Sequence, residues 1–139
     1  MRRRWDVVVV ISVGGALGSL ARWAVAESLP HPPDGFAWST FIENVSGALL
    51  LGALMVLVLE VWPTTRYVRP FLGVGVLGGY TTFSTYMLDT RAMLAAGHVA
   101  PALVYLFGTL LAGLLAVFVG IVLARAAVAL VARSRRSAR

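Results

Sequence analysis

The chain has 139 residues, of which 59% are hydrophobic and only 13% charged. Soluble domains have roughly half apolar and about a quarter charged residues, so this composition excludes an ordinary soluble protein and favours one integral membrane domain over residues 1–139. The net charge of +6 comes from twelve arginines and no lysine, clustered at segment ends, which favours topology and anionic lipid over nucleic acid as the explanation.

Four apolar segments are long enough to cross a bilayer, which requires about 20 residues of helix. The first covers residues 7–26 and ends at the proline-rich loop ESLPHPPDG. The second covers residues 37–61, the third 68–88 and the fourth 99–131. We therefore predict an all-α membrane protein with four transmembrane helices. A cleavable secretory signal ending at residues 24–26 is the less favoured interpretation of the first segment, because Arg22 and Trp23 adjoin the cleavage motif.

The placement of the arginines predicts the orientation of the chain. With four spans, both termini and the loop between the second and third spans lie on the same side of the membrane. The other side carries only Arg91 in its loops, so the positive-inside rule predicts a multi-pass protein of the cell inner membrane with both termini in the cytoplasm. The arginines on the cytoplasmic side are Arg2, Arg3, Arg4, Arg66, Arg69, Arg133, Arg135, Arg136 and Arg139.

Polar residues of the first two spans are candidates for an ion path, because such groups avoid hydrocarbon and face a protein interior or water. Arg22 is either a snorkelling arginine at the interface or a positive charge at a vestibule. Thr40, Asn44 and Gly47 share one helix face. Asn44 offers uncharged N–H donors to an anion, or else forms an interhelical hydrogen bond. Glu43 points about 100° away, towards Arg22 or the headgroups.

The stretch GGYTTFSTY, residues 78–86, interrupts the third span with glycines and hydroxyl side chains. Non-helical backbone at membrane depth is tolerated only inside protein or beside a water-filled cavity. We predict a break in the helix near Gly78–Thr82, with freed carbonyls that suit a hard cation such as Na⁺. Phe83 and Tyr86 follow on one side of the next helix, where their positive ring edges can hold an anion. A kinked helix packed through its glycines is the alternative.

The fourth span has a face of small and polar residues, which on its own indicates tight helix packing. Its members are Tyr105, Thr109, Ala112, Gly113 and Ala116. The sequence lacks cysteine and has no paired-carboxylate or histidine constellation within reach of water, so we predict that the protein is not an enzyme.

Three sequence blocks resemble the Fluc (CrcB) family of fluoride ion channels. They are GGALGSLARW, TFIENVSG and GVLGGYTTFSTY, and the four-span layout matches across essentially the whole chain. The resemblance implies a subunit of an antiparallel dimer that has two fluoride pores and a structural Na⁺ at its centre. It also implies a function, which is passive export of fluoride to relieve its toxicity.

The resemblance further implies roles for individual residues. Asn44 matches the pore asparagine, and Phe83 and Tyr86 match the two positions of the paired Phe box. The backbone carbonyls of Gly78 and Thr81 match the Na⁺ ligands at the helix break. The vestibule arginine and the pore-lining or pore-adjacent polar groups are Arg22, Thr40, Ser84, Thr85, Tyr105 and Thr109.

Three positions depart from the family pattern and put the quality of at least one pore in question. Tyr86 adds a hydroxyl to the second Phe-box ring, Glu43 adds a negative charge before the asparagine, and Gly113 replaces a hydroxyl. The strong arginine bias also favours one fixed orientation. We therefore expect a heterodimer with an oppositely oriented paralogue rather than a homodimer.

Two other functions fit a small four-span protein. A dual-topology transporter of the small multidrug type needs a carboxylate in the first span, where this chain has Arg22 instead. A non-transporting subunit of a membrane assembly would use the polar residues only to hold helices together. Substitutions of Asn44 and Phe83 would then alter stability without altering ion flux.

Overall fold

A computed structural model describes residues 2–61 and 66–137, and the regular elements of both ranges are helices, as predicted. Two parts of the predictions lie outside the described residues. They are residues 62–65, in the loop between the second and third predicted spans, and Arg139, one of the arginines on the predicted cytoplasmic side. The elements in chain order are α1 (Arg2–Ser28), α2 (Trp38–Val56), the π-helix π1 (Leu57–Val61), the π-helix π2 (Arg69–Leu77), α3 (Gly78–Tyr80), α4 (Phe83–Ala95) and α5 (Val99–Ser137).

Three helical stretches among the described residues are long and apolar enough to cross a membrane. They are Trp5–Ser28, Trp38–Val61 and Val99–Ser134, and they correspond to the predicted first, second and fourth spans. The predicted third span has a different form, because its residues are divided among π2, α3 and the first half of α4.

The chain is extended for two residues between α3 and α4. Thr81 has φ −83° and ψ 152°, and Thr82 has φ −144° and ψ 121°. α4 begins directly afterwards because the Thr82 side chain caps it, with Thr82 Oγ1 accepting the N–H of Thr85 at 3.2 Å. A threonine cap of this kind stabilises a helix by about 1 kcal/mol. The TT pair therefore both ends one helix and starts the next.

Glycines bring α1 against π2 and α3. A Cβ atom on Gly18 would overlap the carbonyl oxygen of Val76, and one on Gly79 would overlap the carbonyl oxygen of Gly15. Backbones approach this closely only where side chains are absent, which is how membrane helices gain packing contacts. The glycines of the first sequence block thus hold the segment that precedes the interruption.

A second glycine contact joins α2 to α5. A Cβ atom on Gly52 would overlap the carbonyl oxygen of Val117, and one on Gly120 would overlap that of Leu49. Gly113 takes no part in this contact within the chain, because a Cβ atom there would have no atom within 4 Å. The close approach lies two helical turns further along α5.

Ion pairs fasten the ends of the helices to one another. Arg66 lies 3.0 Å from Asp6, whose carboxylate also accepts the hydroxyl of Tyr67 at 2.7 Å. At the end of π1, Glu60 pairs with Arg125 of α5 at 3.0 Å. Partly exposed pairs contribute about 1 kcal/mol or less each to stability. Their main effect is therefore to align neighbouring segments.

Gly18→Ala should destabilise the protein by about 1–3 kcal/mol, because the added methyl group must displace the backbone of π2. Gly15→Ala is the matched control on the same helix, since the nearest atom to its Cβ, other than its own helix backbone, lies 4.0 Å away. Thermal unfolding of the detergent-solubilised protein measures both. Equal melting temperatures for the two variants would contradict the close contact.

Candidate functional site

The interruption between α3 and α4 opens onto a pocket of about 340 Å³, which we call the interruption pocket. Its lining is mainly apolar, with few polar groups. Four predicted pore residues from α2, α4 and α5 line it: Asn44, Phe83, Tyr86 and Thr109. The predicted Na⁺ ligand Thr81 and its neighbour Thr82, which was not among the predicted site residues, line it as well. The fold therefore brings together residues that lie up to 65 positions apart in the sequence.

Asn44 holds the extended backbone in place through two hydrogen bonds. Its Nδ2 donates to the carbonyl of Thr82 at 3.0 Å, and its Oδ1 accepts the N–H of Thr82 at 2.9 Å. The side-chain amide thus replaces the partners that a continuous helix would give Thr82. A primary amide has two N–H donors, so one donor of Asn44 supports the backbone and the second is available to the pocket.

The backbone N–H groups of Thr82 and Thr85 donate to side chains instead of to backbone carbonyls. In a continuous helix Thr82 N–H would donate to Gly78 and Thr85 N–H would donate to Thr81. Here the first N–H donates to Asn44 and the second to the Thr82 side chain. The carbonyls of Gly78 and Thr81 therefore lose their helical donors. Both residues also line a cavity of about 260 Å³ that includes Asn44 and Gly47.

The rings of Phe83 and Tyr86 lie side by side in the interruption pocket. Their centroids are 5.9 Å apart with an interplanar angle of 59°. Phe83 is 75% exposed, whereas Tyr86 is buried and its hydroxyl donates to the carbonyl of Leu106. The hydroxyl that distinguishes Tyr86 from phenylalanine is thus engaged with the backbone of α5.

Thr109 contributes a buried hydroxyl to the same pocket. Its side chain is 5% exposed, and its Oγ1 has no hydrogen-bond partner in the described structure. A buried hydroxyl without a partner costs roughly 1–3 kcal/mol. Such a group is suited to a bound ion or water in the pocket.

A second cavity, which we call the Arg22 cavity, has a volume of about 360 Å³. It is lined by Arg22 of α1, by Ser39, Thr40 and Glu43 of α2, and by Thr85 of α4, with contributions from Ser19, Trp23, Ala26 and His31. The expected position of Glu43 near Arg22 agrees with the structure, because both side chains line this cavity. Glu43 is 2% exposed, and among the described residues no ion pair joins it to Arg22.

The shared face of α2 is confirmed. Asn44 bonds Thr82, a Cβ atom on Gly47 would meet the side chain of Thr81, and Thr40 donates to Asp89 at 2.8 Å. All three residues therefore face the segment that contains the interruption.

Asp89 is the functional candidate that the sequence analysis missed. It accepts hydrogen bonds from Thr40 and from Tyr105, whose hydroxyl lies 3.1 Å from the same carboxylate oxygen. Tyr105 is fully buried and lies outside both cavities. The predicted third span, residues 68–88, ends one residue before Asp89, although a spacing of three residues each separates Phe83, Tyr86 and Asp89 along α4. Ser84, by contrast, is exposed and lines neither cavity.

Residues 9–121 match the family model described as CrcB-like protein, Camphor Resistance (CrcB). The chain belongs to the CrcB family. It is 50% identical over 128 residues to the Fluoride-specific ion channel FluC 3 of Streptomyces avermitilis. The aligned residues make up 92% of this chain and 63% of that relative. The chain therefore spans less than two thirds of that protein's length.

Two further CrcB relatives align over most of both chains. The Fluoride-specific ion channel FluC 2 of Nocardia farcinica is 51% identical over 114 residues, which is 82% of this chain and 81% of the relative. The Fluoride-specific ion channel FluC 1 of Streptomyces coelicolor is 47% identical over 117 residues, which is 84% and 76% respectively.

Asn44→Ala in this CrcB chain should expose the backbone of the interruption. The N–H and C=O of Thr82 would lose their partners at a cost of roughly 1–3 kcal/mol each, so the segment should open more often. Hydrogen exchange of the peptide that contains Thr82 should accelerate by about tenfold or more. Ser84→Ala serves as the control because its side chain is exposed. Unchanged exchange at Thr82 would contradict the role assigned to Asn44.

Proposed function

We propose that this chain is a subunit of a fluoride-selective ion channel that exports fluoride passively and relieves its toxicity. The observation that carries the proposal is the interruption pocket, where Asn44, two aromatic rings and a partnerless hydroxyl meet beside non-helical backbone. The names of its relatives, which are fluoride-specific ion channels, support the same function.

The chemistry of the pocket suits fluoride. This ion is small and strongly hydrated, so a pore must replace its water with closely placed hydrogen-bond donors. The second N–H of Asn44 and the hydroxyl of Thr109 are such donors. The edges of Phe83 and Tyr86 add weak positive potential in an otherwise apolar lining. In this proposal, selectivity over chloride comes from a passage that fluoride can enter once its water is replaced and that excludes hydrated chloride.

We propose that a second subunit in the opposite orientation completes the pore. In the single chain Phe83 is 75% exposed although it borders the polar groups of the interruption pocket. A partner that covers this side would enclose the pocket and remove it from lipid. The arginine bias favours a heterodimer with a paralogue, with both termini of this chain in the cytoplasm and the protein in the inner membrane.

In this proposal π2, α3 and α4 form the third span as one broken transmembrane helix. A structural Na⁺ at the dimer centre would be held by the carbonyls of Gly78 and Thr81 of both subunits. This assignment is supported by the hydrogen bonds of the N–H groups that would reach these carbonyls in a continuous helix. Thr82 N–H donates to Asn44 instead, and Thr85 N–H donates to the side chain of Thr82. Hard cations prefer such oxygens, and a bound cation would offset the cost of two acceptors without donors.

Phe83→Ile should lower fluoride efflux from liposomes by roughly tenfold, which corresponds to about 1.4 kcal/mol, because isoleucine keeps the apolar volume and loses the ring edge. Phe118→Ile is the matched control, since Phe118 is an exposed ring on α5 that lines neither cavity. Chloride should not pass in any variant.

Two outcomes of this measurement would count against the proposal. Chloride efflux as fast as fluoride efflux in the wild type would end the assignment of fluoride selectivity. An unchanged fluoride efflux for Phe83→Ile, together with lower thermal stability, would favour a non-transporting assembly subunit.

The heterodimer makes a separate prediction. The chain reconstituted alone should give little fluoride efflux, and co-expression with an oppositely oriented paralogue should restore it, because one orientation cannot form an antiparallel pair. Size-exclusion chromatography of the lone chain checks that it is folded. Rapid fluoride efflux from the lone chain would refute the heterodimer and leave a homodimer.

A further inference from the structure

Glu43 is a buried carboxyl group with an unused oxygen. The side chain is 2% exposed and lines the Arg22 cavity, and its Oε1 has no hydrogen-bond partner in the described structure. An ionised carboxylate in such a place costs several kcal/mol unless it is paired and hydrogen-bonded. The cavity of about 360 Å³ has room for several waters or a partly hydrated ion.

The charged and titratable groups around Glu43 have different roles. Asp89 of α4 accepts two O–H donors on one oxygen, from Thr40 and Tyr105. The other groups of the cavity are Arg22 of α1 and His31 of the loop before α2. The two carboxyl groups therefore differ in their partners, since Asp89 accepts two hydrogen bonds whereas Glu43 Oε1 has no partner among the described residues.

We propose that the Arg22 cavity is an anion site in which Glu43, as a neutral carboxylic acid, donates a hydrogen bond to fluoride beside the guanidinium of Arg22. The inference rests on the proposed channel function and adds a second ion position to it. It also explains how an acidic residue next to Asn44 is compatible with an anion path. In its neutral form Glu43 attracts fluoride, and in its ionised form it repels it.

Fluoride current across a planar bilayer tests this proposal, because uncharged hydrogen fluoride carries no current. The channel is recorded with its partner subunit from about pH 8 to about pH 5, a range in which buried carboxyl groups titrate. The wild-type current should rise by about tenfold towards acid pH, since a charge of the same sign as fluoride is removed. Glu43→Gln, which is always neutral and always a donor, should carry the high current at every pH.

Two more variants complete the series. Glu43→Ala is neutral but has no donor, so its current should stay below that of Glu43→Gln throughout. Glu27→Gln is the control, because Glu27 is an exposed carboxylate near the end of α1, and it should keep the wild-type pH profile. A Glu43→Gln profile identical to that of the wild type, or equal currents for Glu43→Ala and Glu43→Gln, would overturn the donor role.

Infrared spectroscopy provides a measurement that does not depend on current. A protonated carboxylic acid has its own C=O stretching band, which should be missing in Glu43→Gln and present in Glu27→Gln. Adding fluoride should shift this band in the wild type. If Glu43 forms a water-linked ion pair with Arg22, the band should be absent. If Glu43 is protonated but does not contact fluoride, the band should be present and should not shift when fluoride is added. Either result overturns the proposal.

The two proposals fail in different ways. A wild-type protein without fluoride current at any pH refutes the channel function. A conducting wild type whose pH profile is unaffected by Glu43→Gln refutes only the donor role of Glu43.

Discussion

The exchange of hydrogen bonds between Asn44 and Thr82 is the interaction on which the rest of the structure depends. Backbone groups in hydrocarbon must be satisfied within the protein, since each unpaired group costs several kcal/mol. Two extended residues in an apolar chain therefore require an outside donor and an outside acceptor. One asparagine amide supplies both to Thr82. Because this pairing supports the extended residues between α3 and α4, the interruption pocket and the ring pair beside it depend on it.

The surrounding helices keep this arrangement rigid. Gly18 and Gly79 let α1 and the π2–α3 segment approach backbone to backbone, which fixes the segment before the interruption. The cap of Thr82 on Thr85 fixes the segment after it. The two sides of the interruption are thus held by separate contacts. An ion path needs such preorganisation, because its donors must not collapse onto one another when no ion is bound.

The hydropathy of the chain and the helical spacing of its polar residues were sufficient to predict the features that depend on local sequence. The three long spans and the shared face of Thr40, Asn44 and Gly47 follow from hydropathy and helical spacing. Tertiary context decided what was missed. Asp89 is stabilised by hydroxyls from two other helices, which no local pattern reveals. The small side chain of Gly113 indicated packing, whereas the actual contact depends on the relative rotation of α2 and α5.

The division of the third apolar segment into short pieces makes its structure depend on other parts of the chain. π2, α3 and α4 contain 9, 3 and 13 residues, and each is shorter than the about 20 residues that a helix needs to cross a bilayer alone. The segment is held by glycine contacts with α1 and by the Asn44 amide of α2. A substitution in α1 or α2 can therefore disturb this segment without changing any of its own residues.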